Sequence, residues 1–352
     1  MNLESLGWDA AHAAEFQPHA DAGLVPGRVV AEHRSAHVVH TGSDELRAQP
    51  SGRLRHVAAG PADLPAVGDW VAVRRSPGGE RATIEAVLPR RSAFVRKSAG
   101  LETAAQVVAA NVDVVFAVTG LDGDVNPRRL ERYLALIWES GASPVVVLTK
   151  ADLCPDVEAA EAEVGTVAFG VPVHAVSAVD GRGVEAIAAH VGAGRTAALV
   201  GSSGVGKSTL VNVLCGARLA TGALRADGRG RHTTTHRELV RLASGGCLID
   251  TPGMRELALW SSGDGLGQAF EDVEALAGRC RFADCSHEAE PDCAVRAAIR
   301  GGTLAPERLE SMRRLERELR YLETRHDARA RSEERRRWRA LNREMRQRPG
   351  GR

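Results

Sequence analysis

At 352 residues and 43% hydrophobic, the chain can bury a sizeable core and is long enough for two or three domains. Its net charge of +1 hides an asymmetry: from Arg313 onward 15 Arg stand against 7 acidic residues, whereas the first 312 residues carry 31 basic and 38 acidic groups. No run of about 18 apolar residues could span a membrane, no basic segment with an apolar run opens the chain, and the six cysteines lack the pattern of a secreted disulfide framework. A cytoplasmic protein is expected.

Residues 1–20 read as a polar and aromatic lead-in with weak structure. From Gly27 to Arg90 short β segments follow at 28–31, 37–40, 68–73 and 82–88, separated by turn formers at 41–44 and 76–79. This pattern predicts a small closed barrel, an OB-fold or an SH3-like barrel. Strands and helices alternate from about Asn111 to Leu259. Strands are expected at 112–118, 144–148, 173–176, 197–200 and 247–249, with a helix from Pro127 to about Ser140 capped by Asn126. Beyond Gly265 the chain turns helical and bears cysteines. Leu309, Met312, Leu315, Leu319 and Leu322 then recur at three- and four-residue spacing, an amphipathic helix inside an Arg/Glu-rich segment from Pro306 to Arg348. The expected domains are 1–97 (lead-in and barrel), 98–260 (α/β domain) and 261–352 (cysteine-bearing helical domain with an Arg-rich tail).

The chemistry-bearing motifs stand at the carboxyl ends of the predicted α/β strands, where open parallel sheets bind ligands. Gly201-Ser202-Ser203-Gly204-Val205-Gly206-Lys207-Ser208-Thr209 is a complete phosphate-binding loop. Its backbone N–H groups would cradle phosphates, Lys207 would neutralise β- and γ-phosphate oxygens, and the Ser208 hydroxyl would meet Mg²⁺. Asp250-Thr251-Pro252-Gly253 ends a later strand; Asp250 would help hold Mg²⁺ and the Gly253 N–H would meet the γ-phosphate. Between them the polar stretch 228–235 ends in Thr233, Thr234 and Thr235, of which Thr235 is the expected Mg²⁺-closing switch residue.

Thr149-Lys150-Ala151-Asp152 resembles the Asn-Lys-x-Asp guanine reader, with Asp152 accepting from guanine N1–H and the exocyclic amine. Ser177-Ala178 would supply a backbone contact to guanine O6. Thr at position 149 departs from the usual Asn. Only three lysines occur, Lys97, Lys150 and Lys207, against 43 arginines, and two of the three occupy motif positions that want a compact ammonium. Met254 follows Gly253 where many GTPases carry the glutamine that orients water. His232 is the candidate for that task, although a surface histidine without a role fits the sequence equally. Cys280, Cys285, His287 and Cys293 gather three thiols and an imidazole within fourteen residues, a donor set suited to structural Zn²⁺; reduced cysteines beside a chance histidine are the alternative.

The base reader precedes the phosphate loop by about fifty residues, the reverse of the ordinary order. A circularly permuted GTPase follows, its usual termini joined near residues 191–196. With a β-barrel before it, containing Gly68-Asp69-Trp70-Val71, and a Cys/His cluster after it, the chain resembles the ribosome small-subunit-dependent GTPase A (RsgA/YjeQ) family over roughly residues 25–300. The resemblance implies an OB-fold, a circularly permuted P-loop GTPase domain and a zinc-binding helical domain that dock on small-subunit ribosomal RNA during late maturation. It further implies GTP/GDP, Mg²⁺ and one Zn²⁺ as ligands, and hydrolysis that is slow alone and stimulated by the small subunit, with His232 positioning water. The alternative is a GTP-binding rRNA scaffold with little turnover. A monomer with no DNA or membrane partner is expected.

Overall fold

The structure is a computed structural model that describes residues 2–33, 36–77, 80–97, 105–216, 237–250 and 264–321. Five strands form the N-terminal barrel: β1 (Val25–His33), β2 (Ala36–His40), β3 (Glu45–Pro50), β4 (Trp70–Arg75) and β5 (Arg81–Val87). Their order β1-β2-β3-β5-β4 closes through the β1–β4 pairing, and β3–β5 is the one parallel pair. Closure leaves no free edge and is the OB-fold solution rather than the SH3-like one. Val29, Val39, Leu46, Val71, Val73 and Ile84 fill the interior. β1 pairs with β2, with a register shift at Val29/Ala31, and with β4; its far end also pairs with a strand of the α/β part, Ala31 opposite Glu238, which makes barrel and α/β strands one continuous sheet.

The weak structure expected for residues 1–20 is corrected by α1 (Ala10–Ala20), whose N-cap Asp9 accepts from the His12 N–H. Trp8, His12 and Phe16 recur every four residues and lay one face of α1 toward Trp70, with Trp8 edge-on to Trp70 at 4.9 Å. Asp9 also accepts two hydrogen bonds from Arg91, at 2.7 and 2.8 Å.

The Gly68-Asp69-Trp70-Val71 motif belongs to the barrel's junction with the α/β sheet. Gly68 sits at φ +93°, and a Cβ there would lie 2.0 Å from the Ala110 carbonyl oxygen. Asp69 is wholly buried and accepts two 2.7 Å bonds from Arg90 and one from the Ala66 N–H. Burial pushes its carboxyl upward, against the pull of Arg90. Arg28, also buried, lies over the Trp70 ring at 5.2 Å and donates to the carbonyls of Gly68, Leu6 and Asn111.

After the hairpin β6 (Ala93–Lys97) and β7 (Ala105–Ala110), the α/β unit runs β8 (Val114–Gly120), α3 (Pro127–Glu139), β9 (Ser143–Thr149), α4 (Val157–Gly165), β10 (Val173–Val176) and α5 (Val184–Ala188). It continues with β11 (Thr196–Gly201), α6 (Lys207–Leu214), β12 (Arg237–Arg241) and β13 (Cys247–Asp250), while α2 (Gly52–Val57) lies between β3 and β4. The sheet order is β10-β9-β8-β11-β13-β12, parallel except for β12. The connection from β10 to β11 leads from the sheet's edge to its centre. That passage is the joint expected of a permuted chain.

Of the C-terminal helices α7 (Asp264–Ala269), α8 (Glu271–Ala277), α9 (Ala294–Arg300) and α10 (306–321), α7 and α10 meet α3, while α8 packs against α7 and α9. Leu309, Met312, Leu315 and Leu319 of α10 are buried as their spacing predicts; Leu322 and the rest of the Arg-rich segment lie outside the described residues. Among the described residues no helix is long and apolar enough to cross a membrane.

Candidate nucleotide and metal sites

The parallel register brings the motif-bearing strand ends to one edge of the sheet. Gly120 of β8 pairs with Thr149 of β9, Thr149 with Val176 of β10, and Val118 with Gly201 of β11, while Asp250 ends the neighbouring β13. The phosphate loop leaves β11 at Gly201, where a Cβ would fall 2.3 Å from the Val118 carbonyl oxygen. Gly206, at φ +91°, caps the eight-residue α6. Val205, Leu210, Val211 and Leu214 anchor the loop and helix in the core, leaving Ser203, Gly204, Ser208 and Thr209 exposed. The Lys207 ammonium folds over the loop, donating to the Gly201 carbonyl at 2.8 Å and to that of Ser202. A ring of backbone donors with a central ammonium is a cradle for phosphate.

Thr149 is buried, and its hydroxyl donates to the carbonyl of Val205 inside the phosphate loop, with the Thr119 carbonyl oxygen 3.2 Å away. Threonine in place of the usual Asn thus ties the end of β9 to the phosphate loop. Lys150 takes a left-handed conformation at φ +61°, which turns the chain into the short 3₁₀ turn Ala151–Leu153. Ala151 is buried, while Asp152 is exposed. Ser177 is fully buried; its hydroxyl accepts from the Val179 and Asp180 N–H groups at 3.3 Å each and shapes the turn carrying Ala178.

Gly253, Met254, His232 and Thr235 lie outside the described residues. Sequence reasoning missed Asp122, whose carboxylate pairs with the Lys150 ammonium. The signal was present in the Gly120-Leu121-Asp122-Gly123-Asp124 turn directly after β8. The buried Cys215 thiol at the end of α6 is pushed up to about 11 by its burial and then by the charge of Asp250, so it stays protonated.

Cys280, Cys285, His287 and Cys293 place their donor atoms within 4.8 Å of one another. Zn–S bonds of about 2.3 Å and Zn–N bonds of about 2.0–2.1 Å in a tetrahedron put sulfurs about 3.8 Å apart and sulfur and nitrogen about 3.5 Å apart. The Cys280–Cys293 sulfurs are 3.9 Å apart, and the His287 Nδ1 lies 3.6 and 3.5 Å from those two sulfurs. Three of the four donors thus stand at the spacings of a tetrahedral zinc site, with the fourth, Cys285, within 4.8 Å of them. Its loop is held by Glu290, which accepts from the Ser286 hydroxyl and from the N–H groups of Ser286, Glu288 and Ala289. These bonds, the Ser286 hydroxyl foremost, hold the Glu290 carboxyl down to about 2. Cys293 also caps α9 by accepting from the Arg296 N–H.

A central phosphate-loop strand, a base-reading segment earlier in the chain and a β10–β11 joint define a circularly permuted P-loop GTPase. A family model described as RsgA GTPase matches residues 87–260. The chain is 50% identical to "Small ribosomal subunit biogenesis GTPase RsgA" of Opitutus terrae, over 97% of this chain and 96% of that one. It is 48% identical to the protein of the same name from Streptomyces coelicolor, over 94% and 90%. The chain belongs to the RsgA GTPase family. Among solved structures, YjeQ from Thermotoga maritima superposes with a TM-score of 0.65 at 27% identity, covering 84% of this chain and 98% of that one. YloQ, described as a circularly permuted GTPase, shares the fold with a TM-score of 0.63 at 24% identity, covering 84% and 95%.

Proposed function

We propose that the chain hydrolyses GTP to GDP and phosphate, binds the small ribosomal subunit and acts in its late maturation. The observation that carries the reading is the convergence of Thr149, Ser177, Gly201 and Asp250 at consecutive strand ends along one sheet edge. Family membership and the names of the relatives support the ribosomal part. In this reading the N–H groups from Ser202 to Thr209 receive the phosphates and Lys207 balances their charge. Ser208, Asp250 and, outside the described residues, Thr235 hold Mg²⁺, which when bound neutralises phosphate oxygens. Gly253 senses the γ-phosphate and His232 positions water. Slow hydrolysis by the isolated protein fits Met254 in place of a water-orienting amide. Multiple-turnover phosphate release should rise about tenfold or more when purified small subunits are added, equivalent to roughly 1.4 kcal/mol of barrier. No rise would leave a GTP-binding rRNA scaffold.

Thr149, Lys150, Ala151 and Asp152 form the base-reading segment, with the Ser177-Ala178 turn opposite guanine O6. The Asp152 carboxylate accepts from two guanine donors; xanthine offers a carbonyl where guanine has its amine. Asp152→Asn should therefore move the preference from guanine toward xanthine nucleotides by about a hundredfold or more, read by competition binding. An unchanged preference would overturn the assignment.

One Zn²⁺ per chain, held by Cys280, Cys285, His287 and Cys293, staples the loop between α8 and α9. Metal analysis of purified protein should return about one equivalent of zinc, and Cys293→Ser should lower it; wild-type content below about half an equivalent would count against the site. The Arg-rich C-terminal segment serves as an auxiliary rRNA contact whose strength falls with salt. The protein works in the cytoplasm as a monomer, without DNA or membrane partners.

A further inference from the structure

Lys150 is anchored by a residue outside the base-reading motif. Its ammonium pairs with the Asp122 carboxylate, which hangs from the turn after β8. That turn is tightly built: the Asp124 N–H donates to the Gly120 carbonyl at 3.2 Å, and Gly123 takes φ +95°. It is also locked to the base-reading strand, because the Leu121 N–H donates to the Thr149 carbonyl at 2.9 Å. A second tie fixes its far side, where Asp124 meets Arg129 at 2.7 Å at the start of α3. The carboxylate of Asp122 lies directly over Gly120; a Cβ on that glycine would fall 2.4 Å from Asp122 Oδ1.

An ion pair in which the lysine is 27% and the aspartate 37% exposed adds little to folding stability. Its value lies elsewhere. A lysine side chain has four flexible carbons, and ordering them on ligand binding weakens the affinity. With the ammonium already tied down, the stem is ordered before the nucleotide arrives. The hydrogen bond from Lys150 accordingly holds the Asp122 carboxyl below its usual range.

We propose that Asp122 is a positioning residue of the guanine pocket, holding the Lys150 stem extended over the place of the base and ribose. The inference rests on the reading of 149–152 as the guanine reader. It assigns Asp122 no contact with the phosphates, so its effect is the same for GTP and GDP.

The test is equilibrium binding of GTP and of GDP, each with Mg²⁺, to the full chain and to its Asp122→Ala, Asp122→Asn, Lys150→Ala and Asp122→Ala/Lys150→Ala variants. Asp122→Ala is expected to raise both dissociation constants about tenfold, Asp122→Asn by somewhat less, and neither should shift the melting temperature of the nucleotide-free protein. In the Lys150→Ala background the Asp122 substitution should change nothing further. Affinities within about twofold of wild type for both Asp122 variants, or a full additive effect on top of Lys150→Ala, would overturn the proposal. Asp122→Asn keeps the shape of the turn and supplies the answer if the alanine variant folds poorly. Failure of the wild-type chain to bind either nucleotide would instead remove the guanine reading itself, and this inference with it.

Discussion

Arg308→Ala is expected to destabilise the union of α3 with the C-terminal helices by about 3–5 kcal/mol, the range for removing one partner of a buried ion pair. Arg308 is only 3% exposed, as is its partner Glu131 on α3, 2.8 Å away. The same guanidinium donates to both Asp272 oxygens, at 3.0 and 2.8 Å, and to the Ala269 carbonyl at 2.7 Å, and it lies over the Phe270 ring at 4.3 Å. The other oxygen of Glu131 accepts from the Ser311 hydroxyl. Truncation to alanine would leave two carboxylates facing one another without their cation, one of them fully desolvated. It would also open a void beneath Phe270. The measurement is urea-dependent proteolysis within α7–α10, which isolates this region from a chain too divided for a single two-state transition. A loss under about 1 kcal/mol would overturn the reading of Arg308 as the cation that this buried cluster depends on.

The same contact gives α3 a role beyond its own domain. It starts just after the Asp122 turn and ends beneath α7, where Gly265 approaches so closely that a Cβ would lie 2.4 Å from the Glu139 backbone nitrogen. Arg132 adds a second pair to Glu318 on α10. One helix thus joins the strand-end edge that carries Thr149 and Gly120 to the C-terminal helices α7 and α10.

Much of this architecture is legible in the sequence because parallel strands buried on both faces must read as continuous apolar runs. β8, β9 and β11 do so, and each motif follows directly from its strand. The Cys/His cluster is legible for a different reason, since four soft donors within fourteen residues form a set suited to a tetrahedral metal ion such as zinc. Local pattern fails where tertiary pairing supplies the order. β3 offers only Leu46 and Ala48 to the interior and ends in Pro50, so its strand character comes from β2 and β5. β12 buries only Leu239 fully, with Val240 half-buried and charged residues at its three other positions. The barrel pattern leaves OB-fold and SH3-like closures open, because the decisive β3–β5 pairing is parallel and not between sequence neighbours. α1 was within reach, since its aromatic residues recur every four positions, but they make a helix only when Trp70 provides a surface. Arg308 and Glu131 are 177 residues apart, and no spacing rule could join them.

Lys207→Ala is expected to lower kcat/KM for GTP by about 10²–10³-fold, the usual loss when a preorganised charge-stabilising group is removed from a transition state. Lys207→Arg should be nearly as harmful, and this second variant is the sharper test. The ammonium donates to two carbonyls of its own loop, those of Gly201 and Ser202, which fix where a cation can sit there. Gly201 already approaches Val118 too closely for any Cβ, so the loop cannot widen on that side. A planar guanidinium with five donors does not fit where a compact ammonium bridges two neighbouring carbonyls. The composition carries the same message: a chain with 43 arginines and three lysines keeps a lysine here. Steady-state phosphate release with small subunits, beside nucleotide affinity, separates a loss of catalysis from a loss of binding. An arginine variant within about fivefold of wild type would mean that charge alone suffices at this position, and the confinement argument would fail.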